Sequence, residues 1–306
     1  MEGVYGCDGR QKKGNLHEPL ISLITDFGVG PDEAVYAIKS AIRYICPRAR
    51  IEDICHNVPL GTRLIAAWRL ARVAGLETER LGTIYVAIVD PGVGSIRRSI
   101  AVRATDGSYF VGPDNGVLSL ALDRQGIQQA VHITNDKYTL RKFAKSSTFD
   151  GKDVFGPIAA HIAVGVPLEE FGAMIEPESL VRINFDVEQL PYQRIGVLTD
   201  IDGFGTLRTT ISNHLPETLI GNKLSFNIIG PGIDINSTAR LSRTFAECEV
   251  GEPLLILAST GALDLAVNLG NASKKFGIRP EQIDLGQDLR PTIKISVDLR
   301  EVSSVN

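Results

Sequence analysis

The run VDPGVGSIRR at positions 89–98 brings a carboxylate and a guanidinium into one short turn. Pro91, Gly92 and Gly94 make a tight bend after an apolar stretch, and glycine permits backbone dihedrals and ligand approach that a side chain would block. The bend folds back so that Arg97 can meet Asp90. A carboxylate beside a guanidinium holds a fixed fork of hydrogen bonds, which can orient a polar reactant. The plain structural alternative is a surface salt bridge pinning the turn. Asp26 stands in a comparable place, closing the apolar run LISLIT. An aspartate there is often only a turn former or helix cap. The loop after Asp90 is neither a Walker A sequence nor a GxGxxG loop, so ATP and dinucleotide readings find no support in it.

The elements that must position these aspartates are legible before them. Leu20 to Asp26 is a short β-rich run, and DEAVYAIKSAIRYICP then carries apolar residues at helical spacing up to Pro47. A strand from Arg50 to Ile54 follows, then a helix TRLIAAWRLARVAG with Gly75 at its C-cap. Thr83 to Val89 is apolar on both faces, as parallel strands in a covered sheet are. This alternation marks an α/β layered domain, whose ligands gather at the C-terminal ends of strands. Asp26 and Asp90 both fall there. Ser99–Ala104 and Tyr109–Gly112 read as a hairpin around Thr105-Asp106-Gly107, and Pro113-Asp114-Asn115-Gly116 as a tight turn. TFDGKDVFGPIAAHIAVG opens a helix with an apolar face of Phe155, Ile158, Ala159 and Ile162.

Between Glu176 and Gln193 the periodicity is lost and Pro177 and Pro191 appear, so the domain boundary is expected there. Beyond it the chain is β-rich, in RIGVLTDID, LRTTIS, KLSFNIIG, LLILAS and TIKISVDL. Short strands with turns between them predict a small barrel or sandwich. The expected division is a flexible extension at 1–19, an N-terminal α/β/α layered domain with a mainly parallel sheet at 20–180, a linker at 181–192 and a smaller C-terminal domain at 193–306.

Composition sets outer limits. The chain has 306 residues, 43% hydrophobic and 22% charged, values that allow a globular core. A net charge of −4 gives no reason to expect nucleic acid or an anionic membrane as partner. No apolar run is long enough to span a bilayer, and the polar first 19 residues have no apolar core of a signal peptide. A cytoplasmic protein is therefore expected. The four cysteines, Cys7, Cys46, Cys55 and Cys248, form no CxxC pair, and no group of residues has metal-ligand spacing, so neither a disulfide framework nor a metal is expected.

Six motifs occur in order: ITDFG at 24–28, VDPGVGSIRR at 89–98, GPDNG at 112–116, TFDGKDVFGPIAAH at 148–161, IDGFGT at 201–206 and STGALDLAVNLGNA at 259–272. Together, over about residues 20–290, they resemble the adenosine-forming S-adenosylmethionine hydrolases, the SAM hydroxide adenosyltransferase (DUF62) family related to fluorinase and chlorinase. The resemblance implies an α/β N-terminal domain, a C-terminal β-barrel and a homotrimer with each site between one subunit's N-domain and its neighbour's C-domain. It implies no cofactor, S-adenosylmethionine being the substrate. Asp90 and Arg97 match the hydrolase Asp and Arg that position water for attack on the ribose C5′. Asp26 matches the aspartate that holds the ribose hydroxyls, and Asp32 a methionine-binding aspartate, with a one-residue slip at Pro31. Thr148 and Phe149 match residues lining the nucleophile pocket. Asp202, with Phe204 in the same turn, and Ser259 match contacts to the methionine end. Asn268 lies in the segment that faces adenine.

The chain departs from that pattern at four positions. The histidine that follows Thr-Phe is Asp150 here, Lys152 stands for arginine, and Thr206 and Thr210 stand where asparagines are usual. Displacement of a neutral thioether from a sulfonium needs no general acid, so the demand falls on orienting the nucleophile and accepting its proton late. Asp90, Arg97 and Asp150 are the expected set for that task. A degenerate relative that binds S-adenosylmethionine or adenosine without turnover is the alternative, supported by the same departures. A halide-using adenosyl transferase is disfavoured, because Asp90 and Asp150 would repel an anion. A methyltransferase is disfavoured by the first loop, TDFGVGPDE. Among the histidines, His161 reads as a core or helix-end residue, His132 as part of a strand, and His17 and His214 as exposed. His56 matches a histidine common in the family. Trp68 reads as core or interface packing.

Overall fold

The computed structural model describes residues 18–28, 33–74, 76, 82–143, 148–185, 187–285 and 289–301. It divides into two compact units, residues 1–182 and 183–306. The expected cap at Gly75 lies outside the described residues.

In the first unit the order is β1 (Leu20–Thr25), α1 (Glu33–Ile45), β2 (Arg50–Cys55), α2 (Arg63–Ala74), β3 (Ile84–Ile88), β4 (Ser99–Ala104) and β5 (Tyr109–Pro113). Then come α3 (Ser119–Gln125), β6 (Ile127–Ile133), α4 (Gly156–Ala163) and β7 (Gly172–Met174). The seven strands lie in the order β2-β1-β3-β5-β4-β6-β7. Strands β1, β2, β3, β5 and β6 run one way and β4 and β7 the other, so the sheet is mainly parallel. The chain steps from β1 to β2 on one side, then returns past β1 to β3. Right-handed crossovers in opposite directions place α1 and α2 on opposite faces. Helices α1 and α4 pack together, as do α2 and α3, completing three layers.

The sequence explains the layering. Helix α1 buries Val35, Ile38, Ala41 and Ile42 at helical spacing, with Glu33 in its first turn and Arg43 in its last complementing the helix dipole. Strand β3 is buried along its whole length, as its unbroken apolar run predicts. Ile38, Ile42, Phe155 and Ile158 are fully buried in one cluster, each such side chain contributing about 1.5–3 kcal/mol of transfer free energy. Helix α4 is preceded by a π-helical turn, Gly151–Phe155, and such turns recur near functional sites. Helix α3 and strand β6 fall where the sequence carries no clear pattern.

The second unit holds β8 (Glu188–Leu190), β9 (Gln193–Ile201), β10 (Leu207–Thr209), β11 (Lys223–Gly230), β12 (Ile233–Ser242), β13 (Pro253–Leu257), β14 (Leu263–Val267), α5 (Ala272–Phe276) and β15 (Lys294–Glu301). Strand β10 pairs with both β14 and β9, which closes the ring β9-β10-β14-β13-β12-β11-β15, and β8 flanks β9. The unit is therefore a barrel, and the sandwich option falls. Among the described residues no helix is long and apolar enough to cross a membrane.

Candidate active site

The reversal of strand order between β1 and β3 opens a crevice at their C-terminal ends, where open α/β sheets bind ligands. Asp26 follows β1 and Asp90 follows β3, so the topology brings these two carboxylates to one place. Asp26 Oδ2 accepts a hydrogen bond from Gly61 N at 2.8 Å. Burial pushes the Asp26 carboxyl above its usual range; the Gly61 hydrogen bond opposes this and the charge of Asp90 adds to it. Behind Asp26, Thr25 Oγ1 and His56 Nδ1 are 2.9 Å apart, and His56 Nε2 lies 3.0 Å from Asp53 Oδ1. His56 thus braces the strand end that carries Asp26.

The turn after Asp90 folds back as its glycines require. Gly94 has φ +80°, and Ser95 N donates to Gly92 O at 3.0 Å. Asp90 Oδ1 accepts from Gly92 N at 3.2 Å, while Oδ2 accepts from Arg97 Nε at 2.8 Å and from Nη2. The same Nη2 donates to Asp150 Oδ2 at 2.6 Å, and Nη1 to Ser99 Oγ at 2.9 Å. Arg97 also lies over the Phe155 ring, 5.6 Å from its centroid. The Arg97 side chain is 11% exposed and that of Asp90 6%, so this is a buried cluster and not a surface bridge. Burial works against the Arg97 charge, but its hydrogen bonds to Asp90 and Asp150, with the charges of both carboxylates, outweigh it and hold the guanidinium above its ordinary pKa.

Asp150 is itself buried. Its Oδ1 lies 3.3 Å from Arg141 Nη2. Asp150 immediately precedes the π-helical turn, which sits tight on α1 and β3: a Cβ on Gly151 would stand 3.2 Å from both Ile38 and Ile88. A cavity of about 400 Å³ opens beside this network, lined by Ser95, Arg97, Ser99, Arg141 and Asp150 among others. Its acidic and basic side chains can orient a small polar molecule and take up a proton.

The motif GPDNG acts from behind. Asn115 Nδ2 donates to Val89 O at 3.0 Å, fixing the end of β3, and Gly112 lies so close to β3 that a Cβ there would stand 2.6 Å from Ala87 O. Arg98 points away from Arg97: its Nε donates to Asp114 Oδ2 at 2.8 Å and its Nη1 to Ser179 Oγ at 3.1 Å, which pins segment 179–181.

Of the other expected site residues in the first unit, Phe149 packs edge-on against Phe27 at 5.9 Å and Thr148 is exposed beside it. Asp32 lies outside the described residues. In the second unit, Asp202 Oδ1 accepts from Phe204 N at 3.0 Å and Thr206 N at 2.9 Å, and Oδ2 accepts from Arg208 Nη2 at 2.8 Å. Phe204 projects from that turn 83% exposed. The turn meets the chain just past the last motif, where Ser273 N donates to Gly205 O at 2.9 Å. Asn268 Nδ2 donates to Cys248 O at 2.7 Å, and Ser259 is exposed after β13. Thr210 Oγ1 accepts from Val197 N at 3.0 Å, so this threonine closes β10 onto β9.

His161 sits on α4 against the Tyr138 ring at 5.1 Å, and burial lowers its pKa to about 4, with the charge of Lys137 adding. His132 lies in β6 and His214 is exposed, while His17 is outside the described residues. Trp68 is half-buried on α2. Sequence reasoning passed over Arg141 and Ser99. Ser99 was recoverable, two residues beyond Arg97 at the start of a strand. Arg141 carries no local signal, because only the fold brings it to Asp150.

A doubly wound α/β unit with a carboxylate–guanidinium cluster at its switch point, followed by a closed barrel, defines a two-unit enzyme-like architecture, and both units have counterparts in known proteins. Residues 21–172 match the model of the SAM hydroxide adenosyltransferase N-terminal domain, and residues 196–283 that of the C-terminal domain. The chain belongs to the SAM hydroxide adenosyltransferase family. It is 35% identical to the (R)-S-adenosyl-L-methionine hydrolase of Salinispora arenicola, over 90% of this chain and 98% of that one. It is 26% identical to the fluorinase of Nocardia brasiliensis, over 87% and 95% of the two chains. A crystal structure of an uncharacterized conserved protein from Thermotoga maritima superposes with a TM-score of 0.76 at 29% identity, covering 90% of this chain and 99% of that chain.

Proposed function

We propose that this chain hydrolyses S-adenosyl-L-methionine to adenosine and L-methionine. Water held beside Arg97 and Asp150 attacks the ribose C5′ in line with the sulfonium. The new bond is O–C5′, the broken bond is C5′–S, and the bonding pair leaves on sulfur as a neutral thioether. The water proton passes late to a carboxylate, for which Asp150 is placed. Asp90 fixes the Arg97 fork, and Asp26 is placed to receive the ribose hydroxyls. Exclusion of bulk water and fixed orientation supply most of the rate.

The observation that carries this reading is the sharing of one buried guanidinium by Asp90 and Asp150 at the switch point. The hydrolase names of its relatives agree with it. Asp202, Phe204, Ser259 and Asn268 of a neighbouring copy complete each site in a homotrimer, with Asp32, Thr148 and Phe149 as further substrate contacts. Apolar side chains support such an assembly on each unit taken alone. Ile96 is fully exposed and Leu60 87% exposed on the first unit, as Leu269 is 85% exposed on the second.

Purified protein incubated with S-adenosylmethionine is expected to release adenosine and methionine in equal amounts, followed by chromatography. Binding of the ligand with no adenosine above the uncatalysed rate would overturn the proposal. That outcome would favour the non-catalytic reading, which draws on one observation: both Asp150 oxygens already face guanidinium groups.

A further inference from the structure

The ion-pair chain does not stop at Asp150. It alternates Asp90, Arg97, Asp150, Arg141 and Asp136, running from the buried end of β3 out to the surface. Each Asp150 oxygen has its own arginine: Oδ2 is 2.6 Å from Arg97 Nη2 and Oδ1 is 3.3 Å from Arg141 Nη2. Arg97 is already committed to Asp90 and Ser99. One guanidinium between two buried carboxylates offsets only one negative charge, and an unbalanced buried charge is costly. Arg141 supplies the second positive charge.

The placement is built into the backbone. Leu140 N donates to Asp153 O at 2.7 Å and Phe143 N to Leu140 O at 2.9 Å, so the turn bearing Arg141 is fastened to the turn that follows Asp150. Arg141 N also lies 3.4 Å from Thr139 Oγ1. The Arg141 side chain is 41% exposed, against 11% for Arg97. Arg97 is therefore the fixed partner of Asp150 and Arg141 the adjustable one.

We propose that Arg141 is a positioning residue for the hydrolysis proposed above: it holds Asp150 from the side opposite Arg97 and balances its charge. This rests on the hydrolase reading of the site. Without Arg141, Asp150 keeps a negative charge free to turn toward the cationic sulfonium. Substrate then binds as well or better, while the carboxylate leaves the line of attack. The signature is a fall in kcat without a rise in KM.

The test compares the unaltered protein with Arg141→Ala and Arg141→Lys, following adenosine release across substrate concentration, with thermal unfolding midpoints as the folding control. Arg141→Ala is expected to lower kcat by roughly 10- to 100-fold. Its KM should be unchanged or lower and its folding intact, and Arg141→Lys, which keeps the charge but not the fork, should recover much of the loss. An alanine variant with unaltered kcat and KM overturns the proposal. So does a variant whose KM rises in step with the loss, or whose loss lysine does not relieve. If the unaltered protein releases no adenosine, the hydrolase reading itself fails and this proposal fails with it. If the unaltered protein is active and Arg141→Ala matches it, only the role of Arg141 fails.

Discussion

Arg97 carries four hydrogen-bond contacts with its side chain only 11% exposed, and two of its partners are buried carboxylates. Removing it leaves Asp90 and Asp150 facing each other with no cation between them, since Arg141 reaches only the other Asp150 oxygen. Arg97→Ala is therefore expected to destabilise the protein by about 3–5 kcal/mol in urea unfolding and to abolish adenosine release. Arg97→Lys restores charge without the planar fork and should recover stability more than activity. A second residue-scale expectation concerns His161, which burial holds near a pKa of about 4. The folded pKa lies below the unfolded value of about 6.5, so the unfolded chain takes up more protons between those limits. Stability from this group is complete above about pH 6.5 and is lost as pH falls toward about 4. The full shift would correspond to more than 3 kcal/mol; partial exposure of the ring reduces the expected loss to about 1–2 kcal/mol. His161→Phe should flatten that acid limb in unfolding curves taken from pH 7 to pH 4. An equally steep limb in the variant would assign the effect elsewhere.

At the scale of elements, Asp26 and Asp90 were legible as candidate site carboxylates because each closes an apolar strand, and position in an α/β sheet carries meaning that residue type does not. Strands β1 and β3 and helices α1 and α2 announced themselves by uninterrupted or helically spaced apolar residues. Strand β12 did not, because its sequence IDINSTARLS turns polar residues outward along much of its length. Strand β14 hides a charge: Asp264 is fully buried there and takes Arg208 Nη1 at 2.5 Å, a pairing no local pattern reveals. Helix α3 spans only seven residues and shows no extended period. Arg141 escaped for a related reason, as its partner Asp150 lies 9 residues further on and no local period links the two. Close approach of elements was equally invisible. Gly112 admits β5 against β3 where a Cβ would meet the Ala87 carbonyl at 2.6 Å. Gly112→Ala should force the strands apart at the root of the Asp90 turn and cost about 1–3 kcal/mol, read as a lowered urea midpoint with reduced turnover. A midpoint equal to that of the parent would show that β5 shifts without resistance.

At the scale of the whole molecule, each unit presents exposed apolar side chains, Ile96 and Leu60 on one and Phe204 and Leu269 on the other. A homotrimer that shares its sites would cover them. Sedimentation equilibrium is expected to return three times the chain mass, and a monomer at all working concentrations would remove the shared-site arrangement while leaving the Asp90–Arg97–Asp150 cluster in place. The central claim is that this cluster delivers water to carbon. It is tested most directly by turnover of S-adenosylmethionine in ¹⁸O-labelled water, with the adenosine analysed by mass spectrometry. The account predicts one ¹⁸O in the 5′-hydroxyl of adenosine and none in methionine. Adenosine without label, or no adenosine from a protein that binds the substrate, would contradict it.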